Sequence, residues 1–307
     1  MKIFLNNPRE SWIVDRIRKE WLDNNSEICT EKIEECDVLW IVAPWLWNQI
    51  PQQFLTTKKV VCTIHHIVPS KFGKDKIADF LIRDKFVDVY HVPNKYTAHI
   101  VRKLTGKPIF IISYWLNTDL WQPIDKEVCR QELGIPPEKF VIGSFQRDTE
   151  GSDLISPKLE KGPDLFCDYV EKIANDNTLI LLGGWRRQYV IGRLEAAKIN
   201  YMYLEQQSIA NIRKMYGACD LYVVSSRHEG GPQALFEAAA LRVPIISNPV
   251  GLAAEVLCEN CVFDLSTNEY LPSEEDVEEN FNKVSEYGIL THKQKYINMF
   301  REVCGVS

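Results

Sequence analysis

Short runs of β-branched and other apolar residues recur along the chain, and between them lie stretches whose apolar positions return every three or four residues. This alternation predicts repeated strand, crossover helix and strand units of a parallel sheet. In the first half the strands fall at 2–5, 38–42, 60–64, 87–92 and 109–113. A first helix over 12–22 sets Ile13, Ile17 and Trp21 on one face and Arg16, Arg18, Lys19 and Glu20 on others. That pattern suits packing on a sheet, and it leaves a peripheral membrane contact open.

The alternation breaks at 116–124, where Asn117, Asp119 and Pro123 cluster, and restarts with a helix over 126–133. The chain therefore divides into a first domain at 1–122, a second at 123–285 and a helical tail at 286–307. Strands of the second domain are expected at 140–144, 178–183, 201–204, 220–225, 244–247 and 262–265. Helices begin near Gly162, Trp185, Ser208, Pro232 and Leu252, with Ser208 suited to an N-cap. The acidic stretch 273–282 reads as a solvated helix face.

Composition narrows the function classes more than it names one. A chain of 307 residues with 45% hydrophobic and 25% charged residues is an ordinary globular one, long enough for two cores. A net charge of −6 excludes a nucleic-acid backbone as the main partner. Nine cysteines, scattered through apolar stretches, fit reduced thiols in the cytoplasm. Cys258 and Cys261 form a C-x-x-C, but no second ligand pair follows at zinc-site spacing, so no metal site is expected. No signal peptide is expected at the start, and the longest apolar stretches, 38–47 and 109–116, are too short to span a bilayer.

The chemistry concentrates at Ser225-Ser226-Arg227-His228-Glu229-Gly230-Gly231-Pro232-Gln233-Ala234-Leu235-Phe236-Glu237, a strand-to-helix junction followed by three alanines. Ligands of open α/β sheets bind beyond the carboxyl ends of the strands, where Glu229 falls. Gly230 and Gly231 let the backbone approach a ligand, and Pro232 fits the first helical turn. The free N–H groups at that turn, around Gln233 and Ala234, suit a diphosphate. Glu237 leans back toward the mouth of the same site, so two carboxylates would face one ligand.

This segment resembles the E-x7-E motif of retaining glycosyltransferases of the large family 4 type, and the following Val243-Pro244-Ile245-Ile246-Ser247 and Gly251 extend the likeness. The resemblance implies two Rossmann-like α/β domains facing across a cleft, the GT-B arrangement, with the acceptor on the first domain and the nucleotide-sugar donor on the second. It assigns Glu229 to the donor sugar and Glu237 to the nucleotide ribose. Arg147, at a strand end, and Lys161, before the next helix, match the family's paired basic residues for the diphosphate; Lys158 is a second lysine in the same loop. Gly184, with Trp185 and residues 204–207, falls where the base would bind. His65, with His66 as the alternative, matches a strand-end histidine near the donor sugar. Trp45 and Trp47 are acceptor candidates, since tryptophan rings stack on sugars.

The expected activity is transfer of a sugar, with retention, from a nucleotide-sugar donor to a sugar, glycan or glycoconjugate acceptor. Arg147, Lys161 and the helix N-terminus would supply the positive charge, so no metal or cofactor is expected. Two other readings stand beside it: a glycoside hydrolase using Glu229 and Glu237, and a nucleotide- or sugar-binding protein without catalysis.

Overall fold

A computed structural model describes residues 1–10 and 13–305. The chain forms two compact units, one of Met1–Asn117 with Ile289–Ser307, the other of Thr118–Gly288. The first division thus falls at 117/118 where 122/123 was expected, and the tail belongs with the first unit rather than standing apart.

Unit 1 starts with β1 (Ile3–Leu5) and α1 (Ile13–Asn24), followed by β2 (Val38–Ile41), α2 (Gln52–Thr57), β3 (Lys59–Thr63), α3 (Lys74–Asp84), β4 (Val89–Val92), α4 (Lys95–Val101) and β5 (Ile109–Ile111). The helix expected over 12–22 is α1, with Trp12 outside the described residues. The five strands are parallel and lie in chain order.

Alternation along β2 divides the core into two layers. Val38 and Trp40 pack with Val14, Ile17 and Trp21 of α1, whereas Leu39 and Ile41 pack with Leu55, Phe80 and Ala98 of α2, α3 and α4.

Unit 2 begins with α5 (Lys126–Leu133), held at one end by the Asp125 side chain accepting from Val128 N–H and closed at the other by Gly134 in the left-handed conformation. Then come β6 (Phe140–Ser144), α6 (Pro163–Ile173), β7 (Thr178–Gly184), α7 (Gln188–Ala197), β8 (Tyr201–Glu205), α8 (Ile209–Gly217), β9 (Leu221–Val224), α9 (Gln233–Ala240), β10 (Ile245–Ser247), α10 (Ala253–Val256) and α11 (Glu274–Ser285). The sheet is parallel, in the order β10-β9-β6-β7-β8. The order reverses beside β6, so the carboxyl ends of β6 and β9 are where a ligand crevice forms in such sheets. The run 262–265 is not a strand. Only Val262 bridges Ser247, after which Leu265 N–H turns to the Asn248 side chain.

The last helix, α12 (Ile289–Cys304), returns to unit 1 and packs beside α1 on the same face of the sheet. Tyr296 and Phe300 of α12 meet Trp21 and Trp40 with ring centroids 5.1 to 5.8 Å apart.

Candidate functional site

Two loops of unit 2, one after β6 and one after β9, are knitted together by their backbones. Arg227 and His228 N–H groups donate to Glu160 O at 2.9 and 3.1 Å, and the Gln146 amide and Ser225 hydroxyl donate to Lys161 O at 2.7 and 3.2 Å. Gly162 makes this approach possible. It sits at φ 61°, and a Cβ there would lie 1.9 Å from Ser225 O. Arg227 adds a bidentate clamp on Asp164 at 2.7 and 2.6 Å.

The result is an ion pair between the Lys161 ammonium and the Glu229 carboxylate, with the two side chains 22% and 13% exposed. The Ser226 hydroxyl lies 3.3 Å from the same Glu229 oxygen and 3.1 Å from Gln146 Oε1. Lys158 turns elsewhere, to Glu160 at 3.8 Å. Of the two lysines in the loop, Lys161 is the one on Glu229.

Behind Glu229 the backbone is packed tightly. Gly251, at φ 57°, leaves only 2.9 Å between a would-be Cβ and Gly230 O. Pro232 occupies the cap position rather than the first helical turn, and α9 starts at Gln233. Residues 231–234 are half-buried at the helix mouth, whose first N–H groups have no acceptor within the helix.

Glu237 lies one turn in and is 5% exposed. Its carboxylate accepts a hydrogen bond from the Tyr216 hydroxyl, and together with burial it raises that phenol well above its ordinary range. Tyr222, beside Tyr216 with ring centroids 4.8 Å apart, accepts from Phe145 N–H at 3.1 Å, which ties this aromatic group to the end of β6.

Arg147 is held over the Trp185 ring, 5.1 Å from its centroid, and donates to Thr149 O at 2.7 Å. Arg186 lies over the same ring at 5.2 Å. Burial first, and then the Arg186 charge, pull the Arg147 guanidinium below its usual value. Gly184 ends β7 at φ 85°, its would-be Cβ 3.3 Å from Phe145 O. A cavity of about 540 Å³ opens here, bounded by Leu154, Trp185, Arg186 and Glu205. A larger one, about 790 Å³, lies in unit 1 at the amino ends of the strands beside Lys59 and Asp88, away from every expected site residue.

Arg187 carries no signal in the sequence, yet it organises the ends of β6 and β7. Fully buried, it pairs with Asp148 at 2.9 Å and donates to Ser144 O, to Ser144 Oγ at 3.1 Å and to Gly183 O at 2.8 Å. Only the folded sheet brings these four groups together.

In unit 1, His65 follows β3 with both ring nitrogens engaged. Nε2 is 2.7 Å from Val42 O, which can only accept, so Nε2 carries the proton; Nδ1 then accepts from the Tyr114 hydroxyl at 2.6 Å. Desolvation by burial lowers the pKa of this imidazole to about 4. His66 is exposed. Trp45 is 44% exposed, 6.1 Å from the His65 ring, with its N–H on Glu10 at 2.8 Å. Trp47 is 9% exposed, packed on Phe86 with its N–H on Asp79, so its ring is core and offers no stacking face.

Residues 127–294, more than half of the chain, match the family model described as Glycosyl transferases group 1. Among curated proteins, the chain is 28% identical over 189 residues to a glycogen synthase of Fervidobacterium nodosum, covering 57% of this chain and 36% of that one. It is 27% identical over 169 residues to the lipopolysaccharide core biosynthesis mannosyltransferase LpsB of Rhizobium meliloti, covering 49% and 43%. The chain thus aligns with less than half the length of these two relatives. Among solved structures, HepE of Anabaena in complex with UDP and glucose superposes with a TM-score of 0.78 at 14% identity, over 98% of this chain and all of that one. Sucrose-phosphate synthase of Thermosynechococcus elongatus gives 0.70 at 15% identity, over 98% and 81%. At such identities the likeness concerns the fold, that of GT-B enzymes with two parallel-sheet α/β domains.

Proposed function

The chain belongs to the glycosyl transferases group 1 family, and from that premise we propose that it moves a sugar from a nucleotide-sugar donor to a hydroxyl of a sugar, glycan or glycoconjugate acceptor, with retention at the anomeric carbon. The observation that carries this reading is the Lys161–Glu229 pair beside the mouth of α9. One contact offers a carboxylate that accepts from sugar hydroxyls and an ammonium that neutralises phosphate. The acid and base pair of a hydrolase has no use for an ammonium on Glu229.

In this reading Glu229 holds the donor sugar and Glu237 the ribose. Lys161, Arg147 and the backbone of residues 230–234 receive the diphosphate, and the base lies by Gly184 and Trp185 in the adjoining cavity. As the anomeric C–O bond breaks, its electron pair passes to the diphosphate oxygen, where the two cations and the helix N–H groups stabilise the growing charge. That oxygen takes the proton of the acceptor hydroxyl, and the new bond forms on the face the diphosphate leaves. The mechanism assigns no step to a metal or other cofactor.

His65, with Nε2–H on Val42 O and Nδ1 accepting from Tyr114, is a positioning residue in this reading, holding the strand end and the Tyr114 hydroxyl rather than abstracting a proton. Trp45 offers its exposed ring to the acceptor. The protein works in the cytoplasm, in keeping with nine free cysteines, with peripheral membrane contact left open. No helix among the described residues is long and apolar enough to cross a membrane.

The experiment is turnover of UDP-, GDP- and ADP-sugars with and without acceptor sugars, UDP-glucose first, since HepE has been crystallised with it. Release of the nucleoside diphosphate with an acceptor product of unchanged anomeric configuration, followed by NMR, is the expected result. Inversion, or hydrolysis of glycosides without use of any nucleotide sugar, would overturn it.

A further inference from the structure

Unit 2 holds a second constellation, apart from the donor residues themselves. Cys258 Sγ lies 3.3 Å from Cys261 Sγ and 3.3 Å from Asp276 Oδ1, and the three ligand atoms all fall within 4.8 Å of one another. All three residues are buried. The two cysteines flank a short turn after α10, and Asp276 is the third residue of α11.

The carboxylate is fixed from behind. Its Oδ2 accepts from the Tyr270 hydroxyl at 2.5 Å, from Ser273 N–H at 2.8 Å and from the Ser273 hydroxyl at 2.7 Å. Asn260 donates to Oδ1 at 3.1 Å, and Oδ1 still faces the Cys258 thiol. Asn280 completes the surround, its Oδ1 accepting from Cys258 N–H at 2.6 Å and its Nδ2 lying 3.5 Å from Cys261 Sγ. A capping box accounts for Asp276 with Ser273, but not for two cysteines gathered at its other oxygen. Polar groups that orient a ligand while leaving its donor atom toward the others are what surround metal sites.

We propose that Cys258, Cys261 and Asp276 bind one thiophilic divalent cation of the zinc class, with water in the fourth position. Two sulfurs and one carboxylate oxygen are donors this ion accepts. Tetrahedral zinc, with Zn–S about 2.3 Å and Zn–O about 2.0 Å, sets sulfurs about 3.8 Å apart and sulfur to oxygen about 3.5 Å. From 3.3 Å, the two sulfurs need to move apart by about 0.5 Å and Cys258 Sγ and Asp276 Oδ1 by about 0.2 Å. Binding releases the two thiol protons to solvent and requires no oxidant. The remaining single negative charge sits in the first turn of α11, where the helix dipole favours it.

The ion would pin α11 to the segment 251–261, which begins at the glycine packed on Gly230. Since α11 also packs on α9, the site would brace the loop that carries Glu229.

The test uses the full chain, purified without chelator or metal-affinity steps. Elemental analysis is expected to find about one zinc per chain. Cobalt(II) replacement is expected to give sulfur-to-cobalt charge-transfer bands and the strong visible bands of a tetrahedral ion. Cys258→Ser and Cys261→Ser are each expected to weaken zinc at least about tenfold, and chelation to lower the Tm of the wild type reversibly. Two freely titrating native thiols with no zinc-dependent Tm shift would overturn the proposal, as would a mass two hydrogens lower, which marks a disulfide. If the serine variants do not fold, the cobalt spectrum of the wild type against a competing chelator decides alone.

Discussion

Lys161 and Glu229 stand 68 positions apart in the chain and meet as an ion pair because the loops after β6 and β9 share backbone hydrogen bonds. The pair is partly exposed and Ser226 also serves Glu229, so its worth to stability is small, and on the proposed function its main worth is to a bound phosphate and sugar.

Lys161→Ala is expected to lower kcat for donor turnover by about two to three orders of magnitude while shifting Tm little. Glu229→Gln, which keeps the shape and removes the charge, is expected to lower kcat with Tm held. Steady-state kinetics beside thermal melts check both. A large fall in Tm with activity retained would make the pair structural.

Gly162→Ala is expected to destabilise unit 2 by at least about 2 kcal/mol, because the added carbon meets a backbone oxygen that cannot rotate away and the residue must hold a positive φ. Urea unfolding followed by near-UV circular dichroism measures it. Unchanged unfolding would mean that the two loops are not held as described.

The two tryptophans separate packing from recognition. Trp47→Ala is expected to cost about 3–5 kcal/mol, as for a buried aromatic. Trp45→Ala is expected to leave the melt nearly unchanged and to raise the KM for acceptor alone. Calorimetry and acceptor titration distinguish them.

The histidines of unit 1 set a pH dependence. Burial lowers His65 to about 4 and His91 to about 3, from an ordinary value of 6.5. The unfolded chain therefore binds more protons than the folded one below pH 6.5, and stability falls as pH drops through this window toward 4 and 3. Above 6.5 these two residues contribute their full share. Melting curves from pH 8 to 4 are expected to show a progressive loss, reduced in His65→Gln. A flat profile would mean that the imidazoles titrate normally.

What was legible in the sequence depended on whether the signal was local. Helix α5 falls at the expected 126–133 because both of its caps, Asp125 and Gly134, lie next to it. The run 262–265 looked like a strand, but after one bridge the Asn248 side chain and the Asp264 turn take its backbone groups. The tail at 286–307 reads as helical, but which sheet it packs on shows only in the folded core, where it meets Trp21 and Trp40. The acidic stretch at 273–282 read as solvated, yet Asp276 and Asn280 are buried, since a cap and two cysteines call them inward. The sequence puts Lys161 on the phosphates with Lys158 as a second candidate; the left-handed turn at Gly162 and the Ser225 contact place Lys161 on Glu229 and leave Lys158 on Glu160.

The most direct measurement is a thermal-shift titration of the wild type and Lys161→Ala with UDP, GDP, ADP and their sugar conjugates. A ligand that binds only the folded state raises Tm, by about 2.7 kcal/mol of stability at a hundredfold excess over Kd. The account predicts a shift with one nucleotide family in the wild type and a much smaller one in Lys161→Ala. No shift with any nucleotide, at concentrations far above ordinary dissociation constants, would contradict it.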